Sequence, residues 1–440
     1  MAKLLFRYYL RLALLSIKQT PILSSLTIAT IALGIAACAI TMTLLYLMSA
    51  DPIPQKSDIL YRVQLDSWDL HQAAIEPNLP PEDVSWTEAN ALVAAKQAFR
   101  QTASAITWGM VTPENKDTFP FLGVMRVTHA DFFPMFATPF LFGGGWDNEA
   151  DQRGQFVTVI SKATNEKVFG GINSVGKVLP MLGKNFTVVG VLDDWHPSPK
   201  YYDMAYGAFS DPEEIYLPFI LKESLELPHG GITNCWKPPQ GDEYSAFLTS
   251  ECTNFQLWVE LRDDNEKSQF EEYLSTYVAQ QKRIGRFPRP LNNKLSNVRE
   301  WLTYKQVVSF DVRVIFWLSI LFLLVCLLNV ASLIGAKLST KTAEIGLRRA
   351  LGANHHAILL QFLLETVCIG LAGGILGLLL AMLGLQGIKQ LYAGYGQLVT
   401  LDITLIISIM CLAVVSSIGA AIIPIWQACR PVPAFQLKQS

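Results

Sequence analysis

The sequence predicts an α-helical membrane protein with four transmembrane helices and a large α+β extracytoplasmic domain between the first and second helices. Three observations carry this. Hydrophobic residues make up 51% of the 440-residue chain and charged residues only 16%, against roughly 25% charged in soluble domains. Four apolar stretches reach the roughly 20 helical residues needed to cross a hydrocarbon core of about 30 Å. The mean hydropathy of +0.29 is nevertheless too low for a chain lying wholly in lipid, so a water-facing part must share the sequence. A net charge of −2 and a pI near 6.3 give no support for nucleic-acid binding.

Residues 1–20 place Lys3, Arg7, Arg11 and Lys18 near one helical face and Leu4, Leu5, Leu12 and Leu15 mostly on the other. That is the pattern of an interfacial helix lying flat on the cytoplasmic surface. The first span, 21–50, lies in a stretch free of charge. Met48, Ser49 and Ala50 faintly imitate a signal-peptide cleavage site, but a signal core is about 7 to 15 residues long, so the span is read as retained. The remaining spans fall at about 314–336, 358–386 and 403–428, the third interrupted only by Glu365.

Charge sets the direction. Residues 51–308 carry 23 basic and 33 acidic side chains, whereas the rest of the chain carries 12 and 4. Lys337, Lys341, Arg348 and Arg349 follow the second span against Glu344 alone. Cytoplasmic loops collect Lys and Arg, so both termini and the loop 337–356 are expected inside and the domain 51–308 outside.

Within that domain, Ser85-Trp86-Thr87-Glu88 has capping-box spacing, and Leu92, Ala95 and Phe99 continue an apolar stripe, which predicts a helix over 86–100. Phe255, Leu257, Val259 and Leu261 alternate with Gln256, Trp258, Glu260 and Arg262, as a half-buried strand does. Phe270, Leu274, Tyr277 and Val278 then make a helical stripe. Residues 118–250, rich in glycine, proline and aromatics, read as a β-rich insertion between two halves of one α+β unit. Cys235 and Cys252 are the only cysteines in 51–308. They are either two free thiols or a disulfide, whose loop closure would stabilise by about 3 kcal/mol.

Catalytic signals are weak. Residues 171–177 read Gly-Ile-Asn-Ser-Val-Gly-Lys, the spacing of a phosphate-binding loop, but Val178 stands where a Ser or Thr hydroxyl would hold magnesium. The six histidines show no metal-ligand spacing and no Gly-x-Ser-x-Gly turn occurs. Asp193-Asp194 and Glu213-Glu214 read as solvated acids, and no catalytic site, metal or cofactor is expected in this chain.

The informative stretch is Glu344-Ile345-Gly346-Leu347-Arg348-Arg349-Ala350-Leu351-Gly352-Ala353, followed by Gln361, Glu365, Gly370, Gly373, Gly374 and Gly377. It resembles the permease of a MacB/FtsX-type ABC transporter, the mechanotransmission superfamily. In that family such a segment forms the cytoplasmic coupling helix seated in a groove of the ATPase. Phe132-Phe133-Pro134-Met135-Phe136, Gly143 to Trp146, Val157 to Ser161, Val168 to Gly171 and Phe186 to Val191 resemble the MacB-like periplasmic core. The tail Arg430-Pro431-Val432-Pro433-Ala434-Phe435 is similar to the family ending. The resemblance implies porter-like halves in the domain and an ATPase on a separate polypeptide, since about twenty residues precede the first span. It also implies a second permease subunit, identical or a sibling, a periplasmic adaptor and an outer-membrane channel in a bacterial inner membrane, with ATP and magnesium bound by the partner. Lipoprotein release of the Lol type and FtsX-like signalling are the rival readings.

On residues alone, an ordinary positive-inside loop is the favoured reading of 337–356, and it is the resemblance that makes the segment a coupling helix. Gly370 with Gly374, and Gly373 with Gly377, are small-x-x-x-small pairs that let helices approach closely in lipid, or points of flexibility within one helix. Glu365, about 15 Å along its helix from His355, should face protein or water, either relaying conformational change or simply neutral and hydrogen-bonded; Asn329 likewise could bridge helices, and tight packing is the inference for both.

Overall fold

The computed structural model describes residues 2–429 apart from 75, 77–78, 115–117, 353 and 392–402. The chain divides into two compact units, Ala50–Val307 and the combination of Met1–Ser49 with Val308–Ser440. In chain order, α1 (Ala2–Gln19) and α2 (Pro21–Met48) precede the extramembrane unit. That unit runs β1 (Leu60–Gln64), β2 (Val84–Ser85), α3 (Trp86–Ala95), β3 (Arg100–Val111), β4 (Phe121–Thr128), α4 (Phe132–Met135), β5 (Phe140–Gly143), α5 (Asn148–Arg153) and β6 (Val157–Ile160). It continues with α6 (Lys162–Phe169), β7 (Val178–Met181), β8 (Lys184–Leu192), β9 (Ile215–Pro218), α7 (Leu221–Ser224), α8 (Tyr244–Leu248), β10 (Thr253–Glu260), α9 (Asp264–Arg283), β11 (Lys294–Asn297) and α10 (Val298–Tyr304). The chain then enters α11 (Phe310–Thr340), α12 (Thr342–Ala350), α13 (His355–Leu391) and α14 (Ile403–Cys429).

One mixed sheet organises the extramembrane unit, in the order β11-β1-β10-β3-β4-β9-β6-β8-β5. Its pairs are antiparallel except β4 with β9 and β6 with β8. Residues 118–250, expected as a β-rich insertion, continue this same sheet: β4 pairs with β3 across eight positions.

Both faces of the sheet are covered at β10, which corrects the half-buried reading of that strand. All eight of its residues are buried. Phe255, Leu257 and Val259 pack with Leu92 of α3 and Phe270 and Leu274 of α9. Trp258 points the other way into an aromatic cluster with Phe132, Phe136, Tyr201, Tyr202 and Trp301. Its indole is satisfied by the Tyr202 carbonyl at 3.1 Å, as a buried Trp requires.

Helix α3 is shorter than the 86–100 expected. Lys96 adopts φ 49°, a left-handed cap that ends the helix, and leaves Phe99 44% exposed. Ser85 caps the helix by accepting from the Glu88 amide. The Glu88 carboxylate itself meets the Ser85 hydroxyl, and its other oxygen binds Arg286 at 2.7 Å and Tyr277 at 3.2 Å.

In the other unit α2, α11, α13 and α14 are long and apolar enough to cross a membrane. They share a core of Ile31 and Ile35, Leu323 and Val330, Ile369 and Ala381, and Ile409 and Ala413. Helix α1 does more than present two faces: Ala13 and Ser16 are buried, while Leu14 and Leu15 are about half exposed. Its last turns are clasped by the bundle through Ser16, as described below.

Candidate functional site

Helix α12 is a nine-residue amphipathic connector between α11 and α13. Ile345 and Gly346 are buried; Ala343, Glu344 and Ala350 are exposed. Leu347 is 54% and Leu351 80% exposed. Arg348 pairs with Glu344 one turn earlier, and its other terminal nitrogen donates to Gln361 Oε1 at 2.9 Å. Arg349 beside it is half-buried. The helix ends as Gly352 takes φ 92°, a conformation that favours glycine. Ala353 lies outside the described residues, as does the tail motif 430–435. The outcome is a short helix anchored by Ile345 and Arg348, with bare leucines on its outer side.

Directly above that helix is a buried polar cluster that joins four helices. Lys337, in the last turn of α11, forms an ion pair with Glu365 of α13, and both are nearly inaccessible. The Ser16 hydroxyl of α1 donates to Glu365 Oε1 at 2.9 Å. The Lys337 ammonium also donates to Ser24 Oγ of α2 at 3.0 Å, and Lys341, at the start of α12, donates to Ser16 Oγ. Glu365 Oε2 is buried without a hydrogen-bond partner. Gln361, which receives Arg348, lies one turn before Glu365 on α13. Counting from His355 puts Glu365 about 15 Å along α13, while Lys337 lies about 5 Å from the end of α11, so α13 overhangs α11 by roughly 10 Å. Glu365 is thus met by a cation from the loop-side end of α11. The charge pattern had marked Lys337 only as a topological signal.

The four glycines divide between two neighbours. A Cβ at Gly373 would come within 2.7 Å of Ile31, and one at Gly377 within 2.9 Å of Ile35, both on α2. A Cβ at Gly370 would overlap Ser417 Oγ, and one at Gly374 would meet Ala413 at 2.9 Å, both on α14. Each small-x-x-x-small pair therefore seats a different helix, and α13 is held between them. Asn329 differs from expectation. It is exposed on the outer face of α11, beside Val325 and Leu328, and among the described residues it bridges no helix.

In the extramembrane unit, Asn234 and Thr253 exchange backbone hydrogen bonds of 3.1 and 2.8 Å. This sets Cys235 opposite Cys252, with Cα atoms 4.2 Å apart and the sulfurs bonded. The loop 171–177 runs from helix α6 into strand β7, the reverse of the strand–loop–helix order that cradles phosphate. Its Gly176 amide donates to the Val188 carbonyl at 2.8 Å. Asp193 and Asp194 are surface acids bound by Lys162. Glu213 is not solvated as expected: it is buried and receives Arg126 at 2.8 Å, Lys200 at 2.7 Å and the Tyr202 hydroxyl at 3.0 Å. Burial opposes its ionisation, but Arg126 and Lys200 outweigh that and hold the carboxyl well below the usual range. Among the described residues no three His, Cys, Asp or Glu side chains gather as a metal site.

A bundle of four apolar helices, a large α/β domain inserted after the first, and an amphipathic connector between the second and third define a transporter permease of the mechanotransmission class. Residues 24–277 match the MacB-like periplasmic core domain and residues 316–433 the FtsX-like permease C-terminal domain. The chain belongs to the MacB/FtsX-type ABC transporter permeases. It is 23% identical over 250 residues to the macrolide export ATP-binding/permease protein MacB of Bdellovibrio bacteriovorus, covering 56% of this chain and 33% of that protein. It is 25% identical over 324 residues to the pyoverdine export ATP-binding/permease protein PvdT of Pseudomonas fluorescens, covering 71% and 42%. The periplasmic region of MacB from Actinobacillus actinomycetemcomitans aligns at TM-score 0.36 and 14% identity, over 60% of this chain and 98% of that structure. The chain spans about a third of the length of the first of these relatives.

Proposed function

We propose that this chain is the permease subunit that converts ATP hydrolysis by a separate cytoplasmic ATPase into movement of a periplasmic domain. In this reading the chain sits in a bacterial inner membrane, both termini and α12 are cytoplasmic, and the domain 51–308 is periplasmic. ATP and magnesium belong to the partner. The observation that carries the reading is α12 itself. Ile345, Arg348 and the Lys337–Glu365 cluster tie it to α1, α2, α11 and α13, while Leu347 and Leu351 offer apolar surface outward. A push on those leucines reaches the spans through the polar cluster and the interdigitated glycines of α13.

The export names of the relatives favour extrusion of a substrate through an adaptor and outer-membrane channel. Asn329 on the bare face of α11 favours a second permease subunit there, because an amide facing hydrocarbon gains from a partner across a helix interface. The test is affinity purification from native membranes followed by mass spectrometry. The expected result is a co-purifying ATPase whose turnover falls on charge reversal at Arg348 and Arg349. Recovery of a periplasmic hydrolase, or of a lipoprotein, in place of an adaptor would redirect the reading to signalling or release.

A further inference from the structure

In the extramembrane unit a cleft of about 630 Å³ opens between α3, α5 and the β9–α7 junction. Its size is that of a small-molecule site, and it is independent of the coupling reading. One wall is apolar: Val93, Phe99 and Ile220 line it, and Phe99 and Ile220 are bare to about 40%.

The opposite wall carries Asp131 and Asp151. Asp151 accepts the Ala130 amide and the Trp146 indole N–H, each at 2.6 Å, so its position is fixed by two donors. Asp131 accepts the Gln101 amide through one oxygen at 3.1 Å. Among the described residues neither carboxylate has an ion pair. Arg100 is committed to Glu260 at 3.1 Å, and Lys96 lines the rim without closing on either acid. Burial, with Asp131 and Asp147 adding, pushes Asp151 up to about 7, and burial also raises Asp131. Two carboxyls held in fixed positions in a recess, with Arg100 and Lys96 near Asp131 but neither closing an ion pair on it among the described residues, favour an incoming positive charge.

We propose that this cleft binds a small organic cation, an ammonium group carried on an aromatic or aliphatic body. Asp131 and Asp151 receive the charge while Phe99, Val93 and Ile220 take the body.

The probe is tryptamine, titrated calorimetrically into the full chain in detergent at about pH 8, with tryptophol as the uncharged counterpart. Tryptamine should bind saturably and at least about tenfold more tightly than tryptophol, the worth of one charge-assisted contact. Asp131→Asn should remove that advantage. Asn148→Lys, at an exposed position on the cleft wall, should abolish tryptamine binding by supplying the cation from within, and it leaves the carboxylate hydrogen bonds intact. Equal affinity for the two probes, absence of saturable heat, or tryptamine binding unchanged in both variants would overturn the assignment.

Discussion

Lys337 and Glu365 form a buried ion pair between the last turn of α11 and the third turn of α13, and Ser16 of α1 and Ser24 of α2 add hydrogen bonds to it. Removing one partner of such a pair leaves an uncompensated charge, which costs more than the intact pair contributes. The pair lies beside α12, so it is placed to report any displacement of that helix to the four helices α1, α2, α11 and α13.

Lys337→Met should therefore destabilise the protein by about 3 kcal/mol, and Glu365→Gln by a smaller amount because the amide keeps an acceptor for Ser16. The double variant Lys337→Met with Glu365→Leu should recover much of the loss. Thermal unfolding of the purified chain in detergent, arranged as a double-mutant cycle, measures this. Strict additivity would show that the two side chains do not interact.

Gly370→Ala should be destabilising because its methyl would overlap Ser417 Oγ, and Ser417→Ala should relieve that overlap. Gly377→Ala meets the Ala32 carbonyl at 3.0 Å as well as Ile35. After trimming, a Cβ at 3.0 Å and a backbone carbonyl remain at both sites, the Ala413 carbonyl at 3.2 Å for Gly370 and the Ala32 carbonyl at 3.0 Å for Gly377, so Ser417→Ala and Ile35→Ala should each rescue only in part. The same unfolding assay compares the two rescues.

Glu213 gives the extramembrane unit an acid sensitivity. Its folded pKa is depressed, so its stabilising contribution is complete above the unfolded value near 4.5 and declines as the pH falls below it. Glu213→Gln should cost about 3 to 5 kcal/mol at neutral pH, since Arg126 and Lys200 lose their shared carboxylate. The gap between variant and wild type should narrow from pH 5 toward pH 3. Tryptophan fluorescence melts across that range check the sign; a gap that widens in acid would contradict it.

Asn329→Leu should reduce the fraction of chain recovered as a cross-linked pair from membranes by about threefold, corresponding to the roughly 0.6 kcal/mol typical of an interhelical hydrogen bond in lipid. Leu328→Ala, which keeps the amide, should have less effect.

The spans were legible because lipid dictates composition over 20 or more residues. The observed helices α2, α11, α13 and α14 contain nearly all of the expected stretches. The glycine spacing was legible for the same reason, although the division of its two pairs between α2 and α14 required the packing. Lys337 was read as a positional charge because antiparallel helices bring together residues whose separation in sequence carries no periodic signal. Glu213 was misread for a similar reason. Nothing local to it announces Arg126, 87 residues away. In β10 the alternation of Gln256, Trp258 and Glu260 suggested an outer face, but the aromatic side chains that cover Trp258 come from α4, α10 and the loop before β9. Asn329 was a candidate bridge because polar side chains in spans usually face protein, and among the described residues no helix reaches it.

The central claim is that α12 is the handle on which a cytoplasmic ATPase acts. A photo-cross-linking residue in place of Leu351, which is 80% exposed, tests this most directly in native membranes, with one in place of Leu328 on the outer face of α11 as the comparison. The account predicts that the probe at 351 captures a nucleotide-hydrolysing subunit and the probe at 328 does not. Capture of that subunit equally from both positions, or from neither, would contradict it.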